Sequence, residues 1–409
     1  YKTVKINYLG DWGTQFGKLI AGYKKIGNEK KLKSNPIKHM LELYVEGNKE
    51  EYDEESRQWF KKLEDGNKEA VSLWKKFKDY SLKDFDKIYK TLGIKFDVIS
   101  GESFYNNKMG ATVSELKKKK LLKESEGAQI VDLEKYNLGV CLIKKSDGAT
   151  LYATRDLTAA IDRHKKFKFD KMIYEVGQEQ KLHFQQVFKI LGLMGYNWAK
   201  SCIHVYHGLY LDKDGKKFAT REGKTVFMED ILSETIELAR LEILKREKLK
   251  EKELEERAEA IAIAAIFYGD LKSYRANDIV FDINKFLSFE GDTGPYLLYS
   301  YARAKSILRK AKYKQKPKIK AGSLNNSEKN LVLKLSAFPE AVAHANQNLS
   351  PNLIANYSFE LAQMFNEFYH ANQVIGSENE AFRLALVDSF SQVLKNALSL
   401  LGISVIEKM

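Results

Sequence analysis

Thr150-Leu151-Tyr152-Ala153-Thr154-Arg155-Asp156 joins two kinds of periodicity. Leu151 and Ala153 alternate as on a short apolar strand, and Leu157 to His164 continue as a helix. On that reading Asp156 falls where strand gives way to helix, which is the ligand crevice of an open α/β sheet. A carboxylate there either caps the helix by accepting its first N–H groups or faces a cationic ligand. Tyr152, four residues earlier, brings a hydroxyl to the same pocket.

Strand-like runs surround this stretch: Val140 to Ile143 before it, Lys171 to Val176 and Ile203 to Tyr206 after it. Helices, including Lys181 to Leu193, separate several of them. Such alternation predicts a Rossmann-like, doubly wound parallel sheet. Gly177-Gln178-Glu179-Gln180 closes one strand at a helix start and puts polar side chains at the carboxyl edge. Upstream, Val4 to Leu9 alternates like a strand and ends in Gly10-Asp11-Trp12-Gly13-Thr14-Gln15-Phe16-Gly17, with a helix through Tyr23. Those glycines make either a tight turn or a phosphate-approaching loop without the usual spacing. Residues from about 35 to 120 predict a charged, mainly helical insertion, broken by a strand at Phe96 to Val98 and a turn at Gly101 to Tyr105. Lys117 to Lys120 form a solvated helix face or meet RNA phosphates.

After Leu209-Tyr210-Leu211, residues 213–224 form a glycine-punctuated basic loop containing Lys216, Lys217 and Arg221. It is either a charged hairpin turn or a lid that neutralises phosphate charge. Met228 to about Tyr274 is helical. Phe289 to Pro295 breaks the pattern, and from Tyr296 the chain is helix except for a linker at Lys314 to Ser327. The stripes Ile354, Tyr357, Leu361, Met364, Phe365, Phe368 and Leu386, Phe390, Val393, Ala397, Leu400 suit a helical bundle.

The 409 residues are 44% hydrophobic and 30% charged, the balance of a soluble globular chain with room for two or three domains. No run is long and apolar enough to span a bilayer, and no apolar leader follows Tyr1. Cys141 and Cys202 lie far apart in strand-like runs, as buried thiols rather than a disulfide or zinc site. The seven histidines form no metal-binding cluster, so no metal site is expected. The net charge of +13 fits either a polyanionic partner, most simply nucleic acid, or plain solubility.

Four of these segments, in order, resemble the arginyl-tRNA synthetase family of class I aminoacyl-tRNA synthetases. They are Asn7 to Gly17, Leu151 to Leu157, Gly291 to Leu297 at the entry to the family's anticodon-binding bundle, and Arg383-Leu384-Ala385-Leu386-Val387, which is similar to the motif that names that bundle. The chain also stops at the Glu407-Lys408-Met409 ending typical of the family. The resemblance spans essentially the whole chain. It implies a catalytic domain over 1–288 and a DALR-type anticodon-binding domain over 289–409. It implies ATP-dependent activation of L-arginine and transfer to tRNA(Arg), with magnesium accompanying ATP, by a cytoplasmic monomer.

Site roles follow from the same resemblance. Asp156 would hold the guanidinium, Tyr152 would line the arginine pocket and Gln180 would add a polar contact. Gly177, His207, Gly208, Leu209 and Lys217 would meet ATP. Lys217-Phe218-Ala219-Thr220-Arg221 is similar to a degenerate KMSKS loop, with Thr220 in place of the second lysine, so catalytic charge falls to Lys216, Lys217 and Arg221. Tyr296, Tyr299, Arg303, Phe368 and Met409 would contact tRNA. The family's HIGH signature is absent and belongs before Tyr1, so the chain reads as the C-terminal majority of a longer enzyme, poorly active alone. The competing readings are a catalytically inactive fragment or paralogue that binds tRNA, and a class I synthetase for another amino acid.

Overall fold

The computed structural model describes residues 2–146, 152–212, 214–216, 227–315, 319 and 321–409. By internal contacts these form two compact units, one running to Tyr206 and the other starting at His207.

In the first unit, β1 (Ile6–Leu9) pairs in parallel with β2 (Val98–Gly101), with Ile6 opposite Val98 and Leu9 opposite Gly101. Five helices lie between them in sequence: α1 (Thr14–Ile26), α2 (Glu29–Ser34), α3 (Pro36–Gly47), α4 (Asp53–Glu64) and α5 (Lys68–Thr91). Asn28 and Asn67 start α2 and α5 by accepting backbone N–H groups. The helices bury Ile20, Leu43, Leu63 and Phe77 against one another. Gly17 sits inside α1, where a Cβ would strike the backbone carbonyl of Ser56 in α4. It is therefore a helix-crossing glycine, not part of a phosphate loop.

Asp11 ties the first turn together. Its buried carboxylate accepts from Lys78 Nζ at 2.6 Å, Ser103 N at 2.8 Å and Ser103 Oγ at 2.7 Å. A Cβ on Gly101 would land on that carboxylate. Gly101→Ala is therefore expected to expel Asp11 and lose these bonds, costing about 2–4 kcal/mol. A lowered urea midpoint of the first unit would report it. An unchanged midpoint would mean that Asp11 can move aside freely.

α6 (Met109–Lys118) leads into β3 (Lys123–Ser125), β4 (Ala128–Asp132) and β5 (Val140–Lys144). The three strands form an antiparallel sheet, with β3 and β4 joined by the two-residue turn Glu126-Gly127. This corrects the expectation that Val140 to Ile143 lies in the parallel sheet. Along β5, Cys141 and Ile143 are buried while Val140 and Leu142 are exposed, the one-sided burial that antiparallel sheets tolerate.

α7 (Tyr152–Phe167) overturns a second expectation. Tyr152 to Asp156 is helix, not strand. Ala153, Leu157, Ala160 and Ile161 are buried at helical spacing, and Ala, Leu and Arg are good helix formers. A two-residue alternation cannot outweigh that longer pattern. Asp156 thus lies in the second turn of α7, past the N–H groups it would cap, and one turn along from Tyr152 on the same face. The neighbouring positions Thr150 and Leu151 lie outside the described residues. β6 (Met172–Gly177), α8 (Lys181–Leu193) and β7 (Cys202–His207) complete the unit, with β6 paired to β7.

In the second unit, β8 (Tyr210–Leu211) pairs in parallel with β9 (Ile279–Val280), a strand that the sequence pattern did not reveal. The rest is helical: α9 (Met228–Leu244), α10 (Glu251–Leu271), α11 (Ile283–Phe286), α12 (Gly294–Lys310), α13 (Asn326–Ser336), α14 (Phe338–Asn348), α15 (Asn352–Ala371) and α16 (Glu380–Leu400). One apolar cluster, centred on Tyr268, Phe365 and Phe390, draws buried side chains from α9, α10, α12, α15 and α16. The rings of Phe365 and Phe390 stack with centroids 3.8 Å apart. Among the described residues no helix is long and apolar enough to cross a membrane.

Candidate functional site

Packing of α7 against α8 assembles a carboxylate cluster in the first unit. His183, three residues into α8, sets its Nε2 2.7 Å from Asp156 Oδ2. Tyr152 lies over this pair, its ring 4.8 Å from that of His183, and is 59% exposed. Asp156 keeps 16% of its side chain accessible, enough to reach a small ligand.

Tyr8, on β1, stands close enough to feel the charges of Asp156, Glu102, Arg155 and Arg163. Burial, then Asp156, pushes its hydroxyl well above the usual tyrosine range, so it stays protonated and able to donate. Among the described residues this buried oxygen has no hydrogen-bond partner. Arg163 lies against the Tyr8 ring, its guanidinium carbon 4.5 Å from the centroid. Glu102 is held by Arg155 Nη1 at 2.9 Å, and the Arg155 Nη2 group reaches Asn106 at 3.3 Å. Burial raises the Glu102 carboxyl, Arg155 opposes that rise, and the negative charge of Asp156 adds to it. Among the described residues, the cluster thus holds one acid paired with an arginine, Glu102, and one paired with a histidine, Asp156. A buried phenol beside the second completes a site suited to a cation with several N–H donors.

Of the residues assigned to the amino acid, Tyr152 and Asp156 come together here. Gln180 is exposed and immediately precedes α8. Tyr8, Glu102 and His183 were missed. Tyr8 looked like one more position of an alternating strand, and His183 stands 27 residues from Asp156 with no sequence signal linking them.

Gly177 ends β6 in the first unit. In the second, the Gly208 N–H donates to the Arg275 carbonyl and the Leu209 N–H to Asp278 Oδ1, each at 2.8 Å. These two N–H groups are engaged within the unit and are not free for phosphate. His207 Nδ1 donates to the Gly208 carbonyl at 2.8 Å, which leaves the rest of its ring to meet a base or sugar. Lys216 is exposed, while Lys217 and Arg221 lie outside the described residues.

The bundle carries a separate polar face. The Arg303 guanidinium carbon lies 4.8 Å from the ring centroid of Tyr299 and 5.1 Å from that of Tyr369. Its Nη1 donates to Asn366 Oδ1, and Asn366 Nδ2 donates to the Tyr296 hydroxyl at 2.8 Å. Tyr369 and Asn366 were not foreseen; the polar Asn366 inside an apolar stripe was their one signal. Phe368 is wholly buried, so its side chain packs the core and cannot face RNA, which corrects that assignment. Met409 packs against the same core and is partly exposed.

Comparison with known proteins bears on both faces. Residues 1–283 match the family model of tRNA synthetases class I (R), catalytic domain, and 297–409 match the DALR anticodon binding domain. The arginine–tRNA ligase of Clostridium perfringens is 49% identical, over all of this chain and 74% of its own length. That of Clostridium acetobutylicum is 47% identical with the same coverage. Arginyl-tRNA synthetase from Plasmodium falciparum superposes with a TM-score of 0.81 at 28% identity, over all of this chain and 70% of that one. The Thermus thermophilus structure gives 0.85 at 24% identity, over all of this chain and 76% of that one, and supports the fold.

Proposed function

The chain belongs to the class I arginyl-tRNA synthetases, arginine–tRNA ligases with a DALR anticodon-binding domain, and on that premise we propose that Asp156 receives the guanidinium of arginine. The observation that carries this reading is the buried Tyr8 hydroxyl, without a partner among the described residues, in the field of Asp156. A guanidinium supplies what both lack: a positive charge for the acid and N–H donors for the phenol oxygen. Tyr152, its ring 4.8 Å from that of His183, lines the pocket, and Gln180 contacts the amino acid from the start of α8. The decisive test is discrimination between arginine and citrulline, its uncharged analogue, in the wild type and in an Asp156 variant.

Activation joins the arginine carboxylate to the α-phosphorus of ATP and expels pyrophosphate. The protein's part is to position the reactants and stabilise charge on the phosphates. We assign ATP to Gly177, His207, Gly208 and Leu209, and the phosphate charge to Lys216, Lys217 and Arg221. Magnesium is assigned to the nucleotide's own phosphates. The functional boundary is placed at 288/289, between the two family matches, and the enzyme is taken as a cytoplasmic monomer.

The bundle face is assigned to tRNA(Arg). A guanidinium flanked by tyrosines, two of them exposed, offers both a phosphate contact and stacking surface for an unpaired base. Arg303→Ala is expected to raise the KM for tRNA about 5- to 50-fold while the KM for arginine holds. Aminoacylation across a tRNA titration measures it, and an unmoved tRNA KM would remove this face from the interface.

A further inference from the structure

We infer that His183 is a positioning residue for the amino-acid pocket: it ties one oxygen of Asp156 so that the other is presented to the substrate guanidinium. The inference rests on the reading of Asp156 as the arginine carboxylate. A carboxylate oxygen only accepts, so the 2.7 Å contact puts the hydrogen on His183 Nε2. The imidazole has little freedom. Its side chain is 8% exposed, and its ring lies 4.8 Å from that of Tyr152 and 5.1 Å from that of Phe184. It stands in the first turn of α8, whose packing on α7 sets its distance from Asp156.

The consequence is geometric. A carboxylate with both oxygens free meets a guanidinium side-on through two parallel bonds. His183 holds Oδ2 and so fixes the rotamer of Asp156, while Oδ1 accepts no hydrogen bond among the described residues and is the more open oxygen toward the substrate. The guanidinium's remaining N–H groups are then directed past Asp156, and the Tyr8 oxygen is an acceptor in that neighbourhood. His183 never touches the reacting atoms. It fixes the rotamer of the group that does the recognising, as partners of binding residues commonly do.

Aminoacylation by the full-length enzyme tests this with four variants: His183→Ala, His183→Gln, Asp156→Asn and the double His183→Ala/Asp156→Asn. His183→Ala is expected to raise the KM for arginine about 10- to 100-fold, the loss of one hydrogen bond to a charged group. The KM for ATP and kcat should stay within about threefold, because only substrate binding is disturbed. Gln, whose amide nitrogen can reach Asp156 as Nε2 does, should restore most of the loss. The double variant should be no worse than Asp156→Asn alone, since His183 acts through Asp156. A normal arginine KM in His183→Ala, beside a raised one in Asp156→Asn, overturns the positioning role and leaves the Asp156 reading standing. A normal KM in Asp156→Asn overturns both. Equal losses for arginine and ATP, no rescue by Gln, or losses that multiply in the double variant would show a structural role and overturn the inference.

Discussion

Asp156→Asn is expected to lower kcat/KM for arginine by about 10²- to 10⁴-fold, equivalent to roughly 3–5 kcal/mol. The substitution keeps the volume and the hydrogen bond that His183 donates to Oδ2. What it removes is the charge. Glu102 does not replace it, because Arg155 already holds that carboxylate at 2.9 Å. The guanidinium would enter a half-buried pocket without its counter-ion and with Arg163 lying against the Tyr8 ring. Citrulline escapes this penalty, since its urea carbonyl can accept from the amide that the substitution introduces. The arginine-to-citrulline preference in amino-acid activation should therefore collapse, while the KM for ATP stays within about threefold. Arginine kcat/KM within about fivefold of wild type, with discrimination intact, would move the guanidinium elsewhere in the cluster.

Family membership was legible because four motifs occur together and in order, the fourth being the one that names the bundle. Geometry was less so. The strand reading of Thr150 to Asp156 leaned on two alternating residues, whereas the burial of Ala153, Leu157, Ala160 and Ile161 follows a helix. Tyr152 and Asp156 still share a face, at a spacing of four in a helix as they would share a pocket at a strand end. His183 was invisible for a different reason. Its bond to Asp156 depends on two helices packing, and no local pattern encodes that. Phe368 shows the converse limit: an aromatic on a helix reads equally as core or as stacking platform until burial decides, and here it is fully buried. Arg303 was identifiable by charge, but its placement between Tyr299 and Tyr369 needed α12 and α15 side by side.

Arg383 opens the motif that names the bundle, and its replacement should cost the second unit most in stability. Arg383 Nε donates to Glu328 Oε1 at 2.8 Å, and Nη1 donates to the Gln373 carbonyl at 2.8 Å. Glu328, in the first turn of α13, is 1% exposed, and its other oxygen accepts from Asn325 N at 2.9 Å to close a capping box. Asn325 passes the network to Asn372, which in turn donates to Ser327 Oγ and the Phe368 carbonyl. The arginine therefore locks α13 onto α15 and α16 and does not reach for RNA. Arg383→Met removes one charge and strands the other in the core, which costs about 3–5 kcal/mol. Removing both charges, as in Arg383→Met/Glu328→Gln, should recover much of that loss, because the penalty lies in the unpaired carboxylate rather than in the absent bridge. Urea unfolding of the two variants beside wild type distinguishes these cases. A loss under about 1 kcal/mol in Arg383→Met would mean that water reaches Glu328 when the arginine leaves. A double variant no better than the single would place the stability in the Gln373 and Asn325 contacts instead. At temperatures where both variants are folded, the KM for tRNA should stay near wild type, separating a residue that builds the bundle from Arg303, which is assigned to its RNA face.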